Sequence, residues 1–69
     1  MNYAEIAFQY LKEHGKCTHK DILIATNGNC SYSIIRDMKM LAEVRGIEIT
    51  ETWQKNEKTK KRYKLYEVA

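Results

Sequence analysis

Ten consecutive residues, Lys55 to Lys64, hold six cations (Lys55, Lys58, Lys60, Lys61, Arg62 and Lys64) and a single acid, Glu57. That decamer has a net charge of +5, whereas the rest of the 69-residue chain sums to −2, so one stretch carries the whole positive excess. Ammonium groups at this density suit a polyanion, because each neutralises a phosphate as a point charge and reads no sequence. The plainer reading is a solvated lysine-rich loop. A second set lies upstream, in Ser31, Tyr32, Ser33, Arg36 and Lys39. Arg36 and Lys39 lie one helical turn apart and add two cations, Ser31 and Ser33 add hydroxyls, and Tyr32 adds a hydroxyl and a ring.

His14, Cys17, His19 and Cys30 are four possible zinc ligands. Their H-x2-C-x-H spacing with one distant Cys is not among the usual structural zinc patterns, so no metal is expected. The two cysteines read instead as small apolar fillers and reduced thiols. No glycine-rich phosphate loop, nucleophile elbow or H-E-x-x-H motif occurs. A chain this short also has little room to shield a reaction from water. Neither enzymatic activity nor a cofactor is expected.

The elements that position these residues must fit in one domain, residues 1–69, with a small core. Hydrophobic residues at 43% and charged residues at 30% give a globular balance rather than a disordered one. No apolar run approaches a membrane span, and the first fifteen residues, with two glutamates and no early cation, do not read as a signal peptide. A cytoplasmic protein is expected. Gly15, Gly28 and Gly46 divide the chain.

The first segment reads as a helix capped by Asn2, with Glu5 at capping-box spacing and an apolar face of Tyr3, Ile6, Ala7, Tyr10 and Leu11 that Phe8 widens. The second is a helix of about two turns, capped by Thr18 with Asp21 three residues on, burying Ile22, Leu23 and Ala25 and ending at Asn27-Gly28. The third runs from Ser31 to Arg45, capped by Ser31 or Asn29. Ile34, Met38, Leu41 and Arg45 lie on one side, flanked by Ile35 and Ala42. Tyr32, Ser33, Arg36, Lys39, Met40 and Glu43 lie opposite. Beyond Gly46 the period changes: Ile47, Ile49 and Trp53 alternate with Glu48, Thr50 and Thr52, as in a half-buried strand. Trp53 is expected to pack in the core or on the hairpin. Arg62 to Val68 forms a second strand, where adjacent Leu65 and Tyr66 suggest a bulge or a two-sided edge. The basic stretch, roughly Gln54 to Lys61, is then a flexible loop in an antiparallel hairpin.

The expected fold is α+β: three helices followed by a two-stranded antiparallel hairpin. The run Ser31-Tyr-Ser-Ile-Ile-Arg-Asp-Met-Lys-Met-Leu-Ala-Glu-Val-Arg-Gly-Ile resembles the recognition helix and following strand of winged helix-turn-helix proteins. Ser33, Ile34, Arg36-Asp37-Met38-Lys39, Leu41 and Gly46-Ile47 occupy the positions of that family's pattern. Lys61-Arg62-Tyr63-Lys64-Leu65 resembles the return strand of its wing. The likeness is strongest to very small regulators of phages and mobile elements. It departs from the pattern at Asn27-Gly28-Asn29-Cys30, longer than a tight turn.

The resemblance implies binding to duplex DNA, with the third helix in the major groove and the wing on the backbone. DNA contacts would come from Ser31, Tyr32, Ser33, Arg36 and Lys39 of the helix, and from Lys55, Lys58, Lys60, Lys61 and Arg62 of the wing. A chain without an effector domain would act by occupancy, as a transcriptional regulator or a recombination accessory factor touching a polymerase or recombinase. The alternative is a small protein-interaction or inhibitor module whose basic wing grips an acidic partner. A third reading is structured RNA. Neither the oligomeric state nor the DNA site follows from the sequence.

Overall fold

Asn2, itself extended, caps the first helix, α1 (Tyr3–His14), its side-chain oxygen accepting from the amides of Ala4 and Glu5. The structure is a computed structural model that describes residues 2–69. After α1 come a short strand β1 (Lys16–Thr18), α2 (His19–Ala25), α3 (Tyr32–Val44), β2 (Ile49–Lys55) and β3 (Arg62–Val68). The class is α+β, and the sheet has three antiparallel strands in the order β1-β3-β2. The expected two-stranded hairpin is thus corrected by one strand. β1 is only three residues long, too short for an alternation pattern to show, and Cys17 at its centre pairs with Tyr66.

β3 is the middle strand, which explains its apolar pair without a bulge or an edge. Its register is continuous, from Ile49 opposite Val68 to Lys55 opposite Arg62. Tyr66 faces the helices and is 1% exposed, while Leu65 on the other face is half-buried. Side chains alternate along a strand, so Ile49, Glu51, Trp53 and Lys55 share the helix-facing side with Val68, Tyr66, Lys64 and Arg62. Only the Ile49–Val68 end of that side lies against the core. β2 is therefore half-buried at Ile49 alone and exposed from Thr50 onwards. Trp53, expected in the packing, is 64% exposed.

The core comprises Ala7, Phe8 and Leu11 of α1, Cys17, Ile22, Ile35, Met38 and Ala42 of the later helices and β1, and Tyr66. All three helix faces differ from expectation. On α3 the buried line is Ile35, Met38 and Ala42, with Ile34 and Leu41 half-buried at its margin. Adjacent apolar pairs at 34–35 and 41–42 left the rotation ambiguous by the 100° of one residue. The small residues settle it: Ala4 and Ala7 on α1, and Ala42 on α3, let the helices approach around Phe8, Leu11 and Met38. On α1 the buried line is accordingly Ala4, Ala7, Phe8 and Leu11, while Tyr3 is exposed and Ile6 and Tyr10 are half-buried. On α2 only Ile22 is buried; Leu23 is 38% exposed.

Thr18 and Asp21 form a reciprocal capping box at the start of α2. Its end is closed by Asn27 in the left-handed region, φ 54°, with Gly28 N–H donating to the Leu23 carbonyl. Thr26 is buried and donates its hydroxyl to the Ile22 carbonyl at 2.8 Å. The six residues between α2 and α3 are thus an ordered connection. A matching closure ends α3, where Gly46 at φ 72° lets Ile47 N–H reach the Ala42 carbonyl at 2.8 Å and drop into the core's edge. Arg45 turns outward there. Its guanidinium grips both oxygens of Glu5 at 3.1 Å and lies over the Phe8 ring, tying α3 back to α1. Glu5 therefore serves Arg45, where a capping box would have had it accept from Asn2.

Candidate nucleic-acid interface

With Ile35, Met38 and Ala42 inward, the outward side of α3 presents Ser33, Arg36 and Met40, all exposed. Arg36 makes one contact, Nε to the neighbouring Asp37 carboxylate at 3.5 Å, and both groups stay open to solvent. Ser31 stands at the N-cap of α3 but makes no capping hydrogen bond. Its hydroxyl bonds instead to that of Ser33 at 2.9 Å, leaving the first amides of α3 without a side-chain partner. Met40 does not reach the hairpin; it borders a shallow hollow with Asn2, Asp37 and Val44 on the α1 side.

The other flank of α3 faces the sheet. Between α2, α3 and the helix-facing side of the hairpin runs an open groove of about 580 Å³. Tyr32 and Lys39 line it from α3, Leu23 from α2, and Trp53, Arg62 and Lys64 from the hairpin. Tyr32 is 84% exposed, so its ring stands at the groove's rim. Tyr66 forms part of the floor. Burial pushes its phenol up to about 12, so at neutral pH it is a neutral hydroxyl, 3.4 Å from His19 Nδ1.

Lys39 is not free in this groove. It pairs with Glu51, and Lys64 Nζ stands 3.4 Å from the second oxygen of the same carboxylate. Lys64 also lies over the Trp53 ring, 5.1 Å from its centroid. Glu51, Trp53 and Lys64 were not among the DNA contacts expected from the sequence, although Lys64 belongs to the basic decamer. The available signal was an acid, Glu51, at an inward position of β2, two residues from Ile49 and two from Trp53.

Of the cationic hairpin, Lys55 and Arg62 face each other at the outer end of the ladder. Seven residues per strand at about 3.3 Å each put that end roughly 20 Å from the core-facing end. Beyond it the tip is a hydrogen-bonded turn. Asn56 N–H donates to the Lys61 carbonyl, its own carbonyl accepts from Lys60 N–H, and its side-chain oxygen accepts from the amides of Lys58 and Thr59. Lys60 closes the turn at φ 62°. Lys58, Lys60 and Lys61 are all exposed, and the one acid nearby, Glu57, lies 3.8 Å from Lys60.

His14 stands apart from Cys17, His19 and Cys30, at the end of α1. His14 Nδ1 donates to the Tyr10 carbonyl at 2.8 Å and its ring stacks on that of Tyr10. Among the described residues no group of three or more His, Cys, Asp or Glu is placed to hold a metal ion. Both cysteines are free thiols, and burial pushes Cys17 up to about 11. No helix among the described residues is long and apolar enough to cross a membrane. The structure thus gathers Tyr32, Lys39, Arg62 and Lys64 around one groove, leaves Ser33 and Arg36 on the adjoining face, and sets the lysines of the tip beyond both. Comparison with protein-family models, with curated proteins and with solved structures gives no match.

Proposed function

We propose that the protein is a winged helix-turn-helix that binds duplex DNA, with α3 in the major groove and the β2–β3 hairpin as a wing on the neighbouring backbone. The observation that carries this reading is the shared groove: α3 and the hairpin flank it, and the cations of the hairpin continue from its wall to its tip. A major groove about 12 Å wide accepts one helix. Ser33 and Arg36 then meet base edges, since no protein element covers them. Lys55, Lys58, Lys60, Lys61 and Arg62 meet phosphates, and Ser31 and Tyr32 meet the backbone where α3 begins. The element order helix-strand-helix-helix-strand-strand, with β1 added beside β3, is consistent with this layout. Occupancy of a site would make the protein a transcriptional regulator or an accessory factor in recombination.

A protein partner is the second reading, favoured by the apolar side chains left open: Tyr32, Trp53, Met40 and Val44 are all more than half exposed. Titration with an unrelated duplex over a range of salt separates the two. Duplex binding that weakens steeply with salt supports DNA; no binding to any duplex at low salt favours the protein partner. Arg36→Ala should weaken binding to a selected site by about 1–3 kcal/mol and flatten preference at one or two base pairs. An equal loss on every duplex would make Arg36 a phosphate contact.

A further inference from the structure

We propose that the groove between α3 and the hairpin is the seat of one sugar-phosphate strand, made by Lys39 and Lys64, and that Glu51 fills this seat in the free protein as a stand-in for phosphate. The inference rests on the duplex reading and deepens it. If α3 lies in a major groove and the wing on the adjacent minor groove, the strand that divides the two grooves must pass between α3 and the hairpin. That space is the groove described above, and Lys39 of α3 and Lys64 of β3 enter it from opposite walls.

The two ammonium groups are close enough to disfavour each other: burial, and then the charge of Lys64, push Lys39 below its ordinary value. Such a pair calls for an anion between them, and Glu51 supplies it, one carboxylate oxygen to each lysine. Trp53 holds Lys64 in place from below. The arrangement is what a phosphate with two non-bridging oxygens would meet. Glu51 lies on the helix-facing side of β2, directly opposite Tyr66, with its side chain 27% exposed and held between the two lysines.

Binding would exchange one anion for another. Lys39 and Lys64 release the carboxylate and take phosphate oxygens, and Glu51 swings to water beside the strand that displaced it. The exchange holds down affinity for every duplex.

The test compares wild type, Glu51→Gln, Lys64→Gln and Glu13→Gln, the last removing an equal charge from the exposed end of α1. Each is titrated with one duplex of unrelated sequence at several salt concentrations, with a thermal melt to confirm folding. Glu51→Gln should bind about tenfold more tightly, with a salt slope close to that of wild type, since the same phosphate is neutralised in both. Lys64→Gln should bind more weakly, and adding it to Glu51→Gln should abolish the gain. Glu13→Gln should match wild type. If Glu51→Gln binds no more tightly than wild type, or gains no more than Glu13→Gln, the seat is refuted while the duplex reading stands. If wild type and every variant fail to bind any duplex at low salt, the duplex reading fails and takes the seat with it.

Discussion

The rotation of α3 about its own axis decides which of its residues can meet a partner, and it can be tested by comparing Met38→Ala with Leu41→Ala. Met38 is 0% exposed and belongs to the central cluster with Phe8, Leu11 and Ile35. Truncation removes three heavy atoms; at about 0.8 kcal/mol for each buried methylene-sized group the transfer loss is about 2.4 kcal/mol. Incomplete collapse of the cavity raises this to about 3 kcal/mol. Leu41 also loses three heavy atoms, but it is half-buried at the margin of the core and leaves no sealed cavity, so about 1 kcal/mol is expected. A domain of this size has roughly 3–10 kcal/mol of total stability. Met38→Ala should therefore lower the melting temperature by about 12–24 °C and Leu41→Ala by about 4–8 °C. Far-UV circular dichroism during urea and thermal unfolding is the assay, because Trp53 is 64% exposed and its environment differs little from that in the unfolded chain. A larger loss for Leu41→Ala would mean that the helix is turned toward its Ile34–Leu41 side, which carries Lys39 away from the hairpin while leaving Arg36 outward.

Lys60 adopts φ 62° at the hairpin tip, where a side chain is strained, so Lys60→Gly should stabilise the fold by about 1 kcal/mol, a rise of about 4–8 °C in melting temperature; a fall would mean that the turn is not closed this way in solution. The Arg45 guanidinium, and then Gln9, hold the Glu5 carboxyl below its ordinary value of 4.5. A group depressed in the folded state stabilises above its unfolded value and loses that contribution as pH falls through the folded one. The melting difference between wild type and Glu5→Gln should hold at neutral pH and shrink as pH falls below the carboxyl's ordinary value of 4.5; an unchanging difference would show that the pair is not charge-dependent. Cys17, buried and pushed up to about 11, should react with a neutral-pH thiol reagent only as fast as the domain opens; labelling at the rate of an exposed thiol would contradict its place in the core.

Much of the frame was legible because local chemistry marked it. Asn2, Thr18 with Asp21, Asn27-Gly28 and Gly46 set the ends of the helices, each by a hydrogen bond its residue type is suited to make. β3 runs over Arg62–Val68 as its composition suggested. What was hidden depends on contacts between segments distant in the chain. β1 exists because Cys17 and its neighbours pair with β3, about fifty residues away, and three residues carry no period of their own. Where two apolar residues are adjacent, as at Ile34-Ile35 and Leu41-Ala42, only the partner helix selects the buried one. The candidate site divides along the same line. The basic tip and the cations of α3 were visible as residue types. The bond of Lys39 to Glu51, and the place of Lys64 and Trp53 in the same groove, required the register of β2 on β3 and its distance from α3.

The central claim is that the hairpin and α3 grip a duplex together, and the salt dependence of the wing tests it most directly. Lys58, Lys60 and Lys61 are exposed, and the tip turn is held by Asn56 rather than by their side chains. Changing all three to alanine should therefore leave the melting temperature nearly unaltered. Affinity for one duplex is measured at several salt concentrations for wild type and the triple variant. If each lysine meets a phosphate, the slope of log K against log salt should fall by about 0.9 per lost contact, roughly three in all, on specific and unrelated duplexes alike. Parallel slopes from two folded proteins would mean that the wing never meets DNA, and a protein partner would take its place.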